Sequence, residues 1–411
     1  MHIDSEIGVL RRIIVHTPGL EIEAMTPKEA ERDLYNDIIP LENVRQEYRQ
    51  LREFLGLVAQ AYDLVDLLAE CLEDAGHRYD FLQQFGRLFP LSGVMNQLMA
   101  SPAHELAQRV LTGIRAPYNT LLHVLDNDGF AARPLPNAYF MRDSLAVVGT
   151  SFVSAAFAYD VRIAEAIITR FIFTHHPDFR NDGMLFDGPA ERNRLLTAEG
   201  GDIHVLAPKV LAIGVSERTS AFAVDTIARR FAKKTGEPVK VFAVDLPKER
   251  ATIHLDMVFT MIDRDAALVY QPVILGPQRA RVVRLDANPD GSINYAEEGS
   301  LLEGLRKAGL DLEPVLCGNG RSVYQEREQW LSGSNSFAFA PGKILMYSCN
   351  AYTLEALSNH GFEVVSAAAI LQGSAGPEEY RRLVVAFDGI ELARGGGGAR
   401  CMTLPVLRDS L

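Results

Sequence analysis

Apolar residues recur three or four positions apart through much of the first third of the chain, a spacing typical of amphipathic helices. The pattern is clearest over residues 44–57, 64–72 and 79–88, and strand signals are nearly absent between residues 40 and 108. We therefore predict an inserted helical bundle over residues 38–125. The flanking residues, 1–37 and 126–411, are predicted to form one α/β domain that the bundle interrupts.

The N-terminal segment carries signals for one strand and one helix. Residues 10–15 form a predicted strand that is closed by Pro18 and Gly19. Thr26 and Pro27 match a helix start, with a side-chain acceptor at the N-cap and proline at the first helical position. We therefore predict a helix from there to residue 34.

After residue 134, short strands alternate with single helices. Residues 201–220 and 333–353 are alike, since each reads as a strand, an Ala-Pro turn, a second strand and a polar turn. A predicted helix and strand follow each stretch, at 221–234 and 239–244 in the first and at 354–359 and 362–365 in the second. A looser copy covers residues 143–155, with a helix over 161–173. This self-similarity predicts repeated modules around one axis, in a small propeller, and a doubly wound sheet is the main alternative.

Composition excludes several classes of partner. The chain of 411 residues is 47% apolar and carries a net charge of −12 with scattered basic residues, which argues against nucleic acid or an anionic membrane as the main partner. The N-terminus has no apolar signal core, and no apolar run approaches the ~20 residues that span a bilayer. Four cysteines are far apart and form no CxxC pair, as in a reducing compartment. We therefore expect a cytoplasmic protein with reduced thiols.

The C-terminal segment contains a candidate nucleophile. Cys401 follows a run of four glycines at 395–398 and is preceded by Arg400. Glycines let backbone press close to a ligand, and a neighbouring cation is expected to favour the thiolate, which is the nucleophilic form. The alternative interpretation is a flexible glycine-rich tail.

Three further stretches concentrate polar residues beside predicted strands. Asp143 closes the stretch 136–143, Glu199 opens the sequence Glu-Gly-Gly-Asp, and His254 and Asp256 flank a leucine. Residues two apart in a strand face the same side, so His254 and Asp256 are expected to project together. Cysteine, histidine and carboxylates form a set suited to nucleophilic catalysis. Each stretch also has a purely structural interpretation, and spacing alone does not show that they converge.

The sequence shows no signal for a zinc site or a nucleotide site beside this set of residues. The cysteines and histidines lack the spacing of a zinc site. The glycine runs match neither a P-loop nor a dinucleotide fingerprint. The residues therefore show no zinc-like site and no nucleotide site.

Six dispersed motifs, in order and nearly end to end, resemble those of the arginine deiminases within the wider guanidine-modifying superfamily. They read SEIGVLRRIIVHTPG, PNAYFMRD, EGGD with LAIGVSERTS, HLDMVFTMID, REQWLSGSN with APGK, and GGGGARCMTLP. The resemblance implies an α/β fold of the pentein kind, a five-module propeller of ββαβ units, with the helical bundle inserted after the first module. It also implies hydrolysis of L-arginine to L-citrulline and ammonia without a cofactor.

The resemblance assigns roles to residues at matching positions. It implies that Cys401 is the nucleophile and that His254 is first the acid for departing ammonia and then the base for water. It places the substrate guanidinium between Asp143 and Asp256, with support from Glu199. The residues that it implies for the rest of the substrate are Asn137, Phe140, Arg162, Arg218 and Arg400.

Several positions depart from the family pattern, and they keep other functions open. The departures are Met141, Ser144, Ser332, Cys349 and Gly396, and none removes a core catalytic residue. One alternative is another guanidine-modifying hydrolase or an amidinotransferase. Another is an inactive arginine-binding homologue, which would have no need of Cys401. The sequence leaves a homo-oligomer open.

Overall fold

Six β-sheets are found among residues 1–117, 120–125 and 129–411, which are the residues that the computed structural model describes. The strands are, in chain order, β1 (Leu10–Val15), β2 (Gln60–Asp63), β3 (Ile114–Arg115), β4 (Phe130–Ala132), β5 (Leu145–Val148), β6 (Ser151–Ser154), β7 (Met184–Asp187), β8 (Ile203–Ala207), β9 (Val210–Val215), β10 (Val239–Asp245), β11 (Phe259–Asp263), β12 (Ala266–Val269), β13 (Arg281–Ala287), β14 (Ile293–Glu298), β15 (Glu313–Leu316), β16 (Phe337–Ala340), β17 (Lys343–Tyr347), β18 (Glu363–Ser366), β19 (Leu383–Phe387) and β20 (Leu404–Arg408).

The helices of the described residues lie between these strands. They are, in chain order, α1 (Leu20–Glu23), α2 (Leu41–Val58), α3 (Leu64–Leu72), α4 (Ala75–Phe85), α5 (Met95–Ala100), α6 (Ala103–Thr112), α7 (Leu121–Leu125), α8 (Met141–Ser144), α9 (Ile163–His175), α10 (Gly188–Glu191), α11 (Ala221–Thr235), α12 (Gln271–Ile274), α13 (Leu301–Lys307), α14 (Ser322–Trp330), α15 (Ala351–Asn359), α16 (Ala367–Leu371) and α17 (Ile390–Arg394). None of them is long and apolar enough to cross a membrane.

Five sheets share one pairing pattern, in which a central strand has an antiparallel neighbour on one side and a parallel neighbour on the other. The sets are β5-β6-β7, β8-β9-β10, β11-β12-β15, β16-β17-β19 and β20-β1-β2. The last set joins the two ends of the chain, with Ile14 opposite Leu404. The fold is therefore a mixed α/β architecture with a recurring three-strand unit.

The predicted stretch 201–244 shows how local sequence builds one such unit. β8 and β9 are antiparallel, and Lys209 in the turn between them has φ 65°. Ser220 caps α11 by accepting from Ala223 N, and Gly236 ends it with φ 71°. β10 then returns parallel to β9, so the predicted order of strand, strand, helix and strand is confirmed in this stretch.

The helical pattern of the first third is confirmed by α2 and α3, which cover the first two predicted segments, and by α4, which covers the third as far as Phe85. Apolar side chains of α3, α4 and α6 lie in one buried cluster with those of α9 and β5. The side chains of α2 belong to a second cluster with strands β1 and β17. α2 is also the connection between the parallel strands β1 and β2.

The predicted helix after Thr26 is wrong, because residues 27–34 form successive turns and the preceding helix ends at Glu23. Leu34 has φ 67°, in the left-handed region that a continuing helix does not allow. The carbonyl of Asp33 accepts a hydrogen bond from Asn137 Nδ2 at 2.8 Å, which holds the turn against the segment before β5.

Phe54 of α2 provides a test of this packing. Its side chain is 0% exposed and its ring centroid lies 5.0 Å from that of Phe339. Phe54→Ala should lower the free energy of unfolding by about 3–5 kcal/mol, because it removes a buried ring and leaves a cavity. Leu57 on the same helix is 62% exposed, so Leu57→Ala should lower the free energy of unfolding by less than about 0.5 kcal/mol. Urea unfolding followed by circular dichroism measures the difference. Equal midpoints for the two variants would contradict this packing.

Candidate active site

Seven of the residues singled out from the sequence line one small cavity of about 50 Å³: Asn137, Phe140, Asp143, Arg162, Arg218, His254 and Cys401. Leu34, Arg250, Ile253 and residues 395–397 complete its wall. Glu199 lies in contact with His254, and Asp256 lies near Cys401. Residues from distant parts of the chain therefore converge, which spacing in the sequence did not establish.

Five polar residues of the site come from short segments that lead into a strand. Asp143 lies in α8 immediately before β5, and Glu199 opens a turn, Gly200–Asp202, before β8. His254 and Asp256 precede β11, where the expected strand is instead a short 3₁₀ turn, Leu255–Met257. Cys401 lies three residues before β20. Each side chain is thus placed by a turn that leads into a buried strand.

Asn335, two residues before β16, is a site residue that the sequence analysis missed. Its Oδ1 accepts from the backbone N–H groups of Arg400 and Cys401 at 2.9 and 3.1 Å. Its Nδ2 donates to Cys401 Sγ at 3.2 Å and to the carbonyl of Asp256 at 3.1 Å. One amide therefore fixes the cysteine relative to the carboxylate. The sequence did contain a signal for Asn335, because this residue lies shortly before a predicted strand, as the other site residues do.

The glycine run lets the cysteine loop pack against the aromatic wall. A Cβ on Gly397 would lie 2.5 Å from a ring carbon of Phe140 and 3.0 Å from the Cβ of Cys401. Real side chains do not approach that closely, so only glycine fits at this position. The run is therefore an ordered part of the cavity wall, and the interpretation as a flexible tail is wrong.

The expectation that Arg400 holds Cys401 as a thiolate is wrong for this arrangement. Burial, together with the charges of Asp256 and Asp143, raises the pKa of the Cys401 thiol well above its usual value, and Arg400 opposes this only weakly. Cys401 Sγ lies 3.8 and 4.0 Å from the two oxygens of Asp256. Since two carboxylates face the sulfur, the thiol form is favoured until a cation joins them.

His254 is held between two carboxylates. Its Nε2 donates to Glu199 Oε2 at 2.8 Å, and its Nδ1 lies 3.6 Å from Asp143 Oδ1. Burial disfavours the imidazolium, but the charge of Asp143 and the hydrogen bond to Glu199 outweigh it and raise the pKa of His254 to about 9. Although burial opposes its ionisation, Arg218 and His254 lower the pKa of Glu199 to about 2. The pair is therefore an imidazolium and a carboxylate at neutral pH.

Asp143 and Asp256 each have one oxygen that is anchored by an arginine and one to which that arginine does not donate. Asp143 Oδ2 accepts from Arg162 Nη1 at 2.6 Å, while its Oδ1 has no hydrogen-bond partner within the described structure. Asp256 Oδ2 accepts from Arg400 Nη1 at 2.9 Å, and its Oδ1 has Cys401 Sγ at 4.0 Å. A planar cation with several N–H donors suits such a pair of acceptors.

Arg162 and Arg218 differ in how many partners their guanidinium groups have. Arg162 donates to Asp143 and, through Nη2, to Glu165 Oε2 at 2.7 Å, and its guanidinium lies over the Phe157 ring. Arg218 lies 3.6 Å from Glu199 Oε2, and its Nε has no partner among the described residues. Arg218 is therefore the more available of the two for a ligand.

Arg400 does not line the cavity. It is 1% exposed and donates to Asp256, to both oxygens of Glu6 at 3.1 Å and to the carbonyl of Ile203 at 2.8 Å. In this structure it acts on the cavity through Asp256. The sequence analysis placed it among the substrate-binding residues, and it missed Glu6 as its partner.

Asp202 links two of the site segments and was quoted only as part of a motif. Its Oδ1 accepts from Leu255 N at 2.9 Å, and its Oδ2 accepts from Ser216 Oγ at 2.7 Å. This carboxylate therefore ties the turn after Glu199 to the turn that carries His254 and Asp256.

Donor atoms of Asp143, Glu199 and His254 all lie within 4.8 Å of one another, as in groups that hold a metal ion. The pKa of His254, raised to about 9 against the opposing effect of burial by the two carboxylates, keeps both of its nitrogens protonated at neutral pH. An imidazolium has no lone pair for a metal. The cluster is therefore better suited to proton transfer than to metal binding.

Solved structures of an arginine dihydrolase and of an amidinotransferase have a similar fold. The N-terminal domain of a cyanobacterial arginine dihydrolase, bound to its product, superposes with a TM-score of 0.53 at 14% identity, covering 97% of each chain. An amidinotransferase of saxitoxin biosynthesis from Microseira wollei superposes with a TM-score of 0.55 at 11% identity, covering 100% of this chain and 98% of the other. At these identities the likeness establishes the class of fold, a mixed α/β fold of the amidinotransferase type.

Sequence comparison identifies the family within that class. The family model described as arginine deiminase matches residues 95–408. Arginine deiminases of Treponema denticola and Clostridium perfringens are 33% and 31% identical over 434 and 435 aligned positions, with 100% of this chain and 99% and 98% of theirs aligned. The chain belongs to the arginine deiminase family.

Gly201 allows a test of how closely the site is packed. A Cβ there would lie 2.6 Å from His254 Nδ1 and 3.0 Å from Asp143 Oδ1. Gly201→Ala should lower kcat/KM for L-arginine at least about 100-fold by displacing the imidazole, since a 1 Å misplacement carries that cost. Gly56→Ala is the control, because nothing lies within 4 Å of the place that an added Cβ would take there. Comparable activity of the two variants would mean that His254 does not need its present position.

The charge on His254 makes stability depend on pH. Its pKa is raised in the folded protein to about 9, against opposing burial, by Asp143 and Glu199, so its stabilisation is fully present below the unfolded value near 6.5 and is lost as pH rises through about 9. Between pH 6 and pH 10, the wild type should therefore lose roughly 3 kcal/mol of unfolding free energy relative to His254→Asn. Urea unfolding of both proteins across this range measures the difference. A difference that stays constant with pH would show that His254 is not held as a cation.

Proposed function

We propose that this protein hydrolyses L-arginine to L-citrulline and ammonia, with Cys401 as the nucleophile. The observation that supports this best is the grouping of a buried thiol, an imidazolium and two carboxylates that each have one oxygen free of an arginine anchor. A guanidinium ion is planar and charged and donates in a fixed fork, so it complements those oxygens. The names of the full-length relatives agree with this substrate.

Binding of the substrate is proposed to activate the thiol. A guanidinium between Asp143 and Asp256 would offset the two charges that, together with burial, raise the pKa of Cys401. The thiol proton then leaves to solvent, because His254 is already protonated. The thiolate is left facing the guanidinium carbon. Activation is thus tied to the presence of a cationic substrate.

The two half-reactions use His254 in opposite senses. Attack of the sulfur on the guanidinium carbon forms a neutral tetrahedral adduct, and the imidazolium donates its proton to the leaving nitrogen, which departs as ammonia. The carbon remains on sulfur as a thiouronium cation. The neutral imidazole, oriented by Glu199, then takes a proton from water, and the hydroxide attacks that carbon. Collapse of this second adduct expels the thiolate, the proton of its hydroxyl passes to solvent, and neutral citrulline is released.

The amino-acid end of the substrate is proposed to lie toward Arg162 and Arg218, with Asn137 and Phe140 beside it. Arg218 has an unused Nε. Arg162 becomes available if Asp143 exchanges its bond to that arginine for one to the substrate guanidinium. Arg400 is proposed to position Asp256, since it holds one oxygen of that carboxylate at 2.9 Å.

The five sheets with a common pairing pattern support a pseudo-fivefold α/β propeller of ββαβ modules. Segments before β5, β8, β11, β16 and β20 each contribute a residue to the site, as expected if the modules surround one axis. We propose that the inserted bundle starts near Leu64 rather than at residue 38, because α2 is the crossover of the module β20-β1-β2. Residues 126–128, at the other predicted boundary, lie outside the described residues. A cytoplasmic location and a homo-oligomer stay predictions from sequence.

The direct experiment mixes purified protein with L-arginine and measures citrulline and ammonia. Equal amounts of the two products are expected. Cys401→Ala should abolish turnover while still binding L-arginine, because the carboxylates and arginines remain. Cys71→Ala is the control and should keep most activity, since that cysteine packs in the helical cluster. Citrulline formation by Cys401→Ala at the wild-type rate would refute the assignment.

A further inference from the structure

Arg250 lies at the junction of two cavities. The inner one is the site of about 50 Å³. The outer one has a volume of about 300 Å³ and is lined by Trp330, Gln329, Asp37 and Arg394 among others. Arg250 and Gly396 line both cavities. Arg250 is therefore placed to contact a ligand in either cavity.

The Arg250 guanidinium has no carboxylate partner in the described structure. No aspartate or glutamate oxygen of the described residues forms an ion pair with it within 4.0 Å, and its Nη1 donates to the carbonyl of Leu34 at 3.4 Å. Its Cζ lies 5.9 Å from the centroid of the Trp330 ring. A Cβ on Gly396 would lie 2.9 Å from Nη2, so the glycine leaves the face of the guanidinium open. In contrast, Arg162, which also lines the inner cavity, is held by two carboxylates.

Arg218 and Arg250 place two positive charges in the lining of the inner cavity. Burial and the charge of Arg218 together lower the pKa of Arg250, so the two side chains are close enough to repel. Buried or half-buried charges are ordinarily paired, and an anion between these two groups would remove their repulsion. Asp143 in the same lining, and Asp256 beside Cys401, favour a cation. The site therefore offers groups for a cation and groups for an anion.

We propose that Arg250, together with Arg218, receives the α-carboxylate of the substrate and selects for substrates that carry one. This inference rests on the proposed function for the identity of the substrate. A molecule that carries both a guanidinium and a carboxylate complements both sets of groups. Arg250 also contacts the outer cavity, so it meets the carboxylate as the amino acid enters.

Kinetics with matched ligands test the role of Arg250. Arg250→Met keeps a long apolar stem without the charge, and agmatine is L-arginine without its carboxylate. Arg250→Met should raise KM for L-arginine about 10- to 100-fold, the value of one charge-assisted contact, with kcat changed less than about 3-fold. The inhibition constant of agmatine should change less than about 3-fold, and Arg250→Lys should restore part of the affinity for L-arginine.

Arg45→Met is the control variant. Arg45 is also partly buried and donates to a backbone carbonyl, that of Pro18, at 2.9 Å, in a different cavity. It should leave KM for L-arginine within about 2-fold of the wild type. If Arg250 only supports the Leu34 turn, its loss should weaken L-arginine and agmatine alike. Equal weakening, or an unchanged KM for L-arginine, would overturn the proposal.

Binding to Cys401→Ala separates this inference from the proposed reaction. Calorimetry should show that adding Arg250→Met weakens L-arginine about 10- to 100-fold and leaves agmatine within about 3-fold. Trp330 is the single tryptophan of the chain, so its emission reports ligands that reach Arg250. If wild type forms no citrulline but L-arginine binding depends on Arg250, the reaction is wrong and the receptor stands. If citrulline forms and the affinity for L-arginine does not depend on Arg250, the carboxylate-receptor role of Arg250 is wrong and the proposed reaction stands.

Discussion

The rest of the site depends on the anchoring of buried carboxylates by buried arginines. Ions such as Asp143, Asp256 and Glu199 each lose several kcal/mol of hydration when they are buried. Arg162 and Arg400 hold one oxygen of the first two. Anchoring at one oxygen offsets the cost of burial without using up the carboxylate, because the arginine does not donate to the second oxygen. The same arrangement keeps His254 charged and Cys401 protonated, so neighbouring charges set the protonation states of both reactive groups.

This balance is also what links substrate charge to reactivity. Burial and the carboxylates work together against a thiolate. A bound cation reverses the contribution of the carboxylates, because it is attracted by the same oxygens that repel the sulfur anion. The same cavity is lined by Arg218 and Arg250, which lack full anionic partners among the described residues. Carboxylates and arginines together complement a molecule with separated charges, such as a zwitterionic amino acid with a basic side chain.

Much of the fold followed from local pattern, and part of the site did not. The helices α2, α3 and α4 and the strand–strand–helix–strand unit at 201–244 were predictable, because their periodicity and turn residues agree with the structure. The helix predicted after Thr26 failed because a tertiary bond from Asn137 to Asp33 and the left-handed Leu34 favour turns. Local capping signals do not record contacts with a segment 104 residues away.

The candidate site was found through motifs, but its electrostatics required three dimensions. Arg400 is adjacent to Cys401 in sequence, yet its guanidinium turns to Glu6 and Asp256, so adjacency predicted the wrong pKa for the thiol. Asn335 was missed because an amide carries little chemical signal by itself. Its place before β16, equivalent to that of Cys401 before β20, is what marks it.

The fate of the carbon that Cys401 attacks tests the central claim most directly. Wild type or His254→Ala is mixed with L-arginine, quenched rapidly with acid, and the peptide that contains Cys401 is weighed by mass spectrometry. The account predicts a thiouronium adduct that retains the whole amino-acid skeleton, with ammonia lost. An adduct of the bare amidino group with release of ornithine would contradict it and would indicate group transfer instead of hydrolysis.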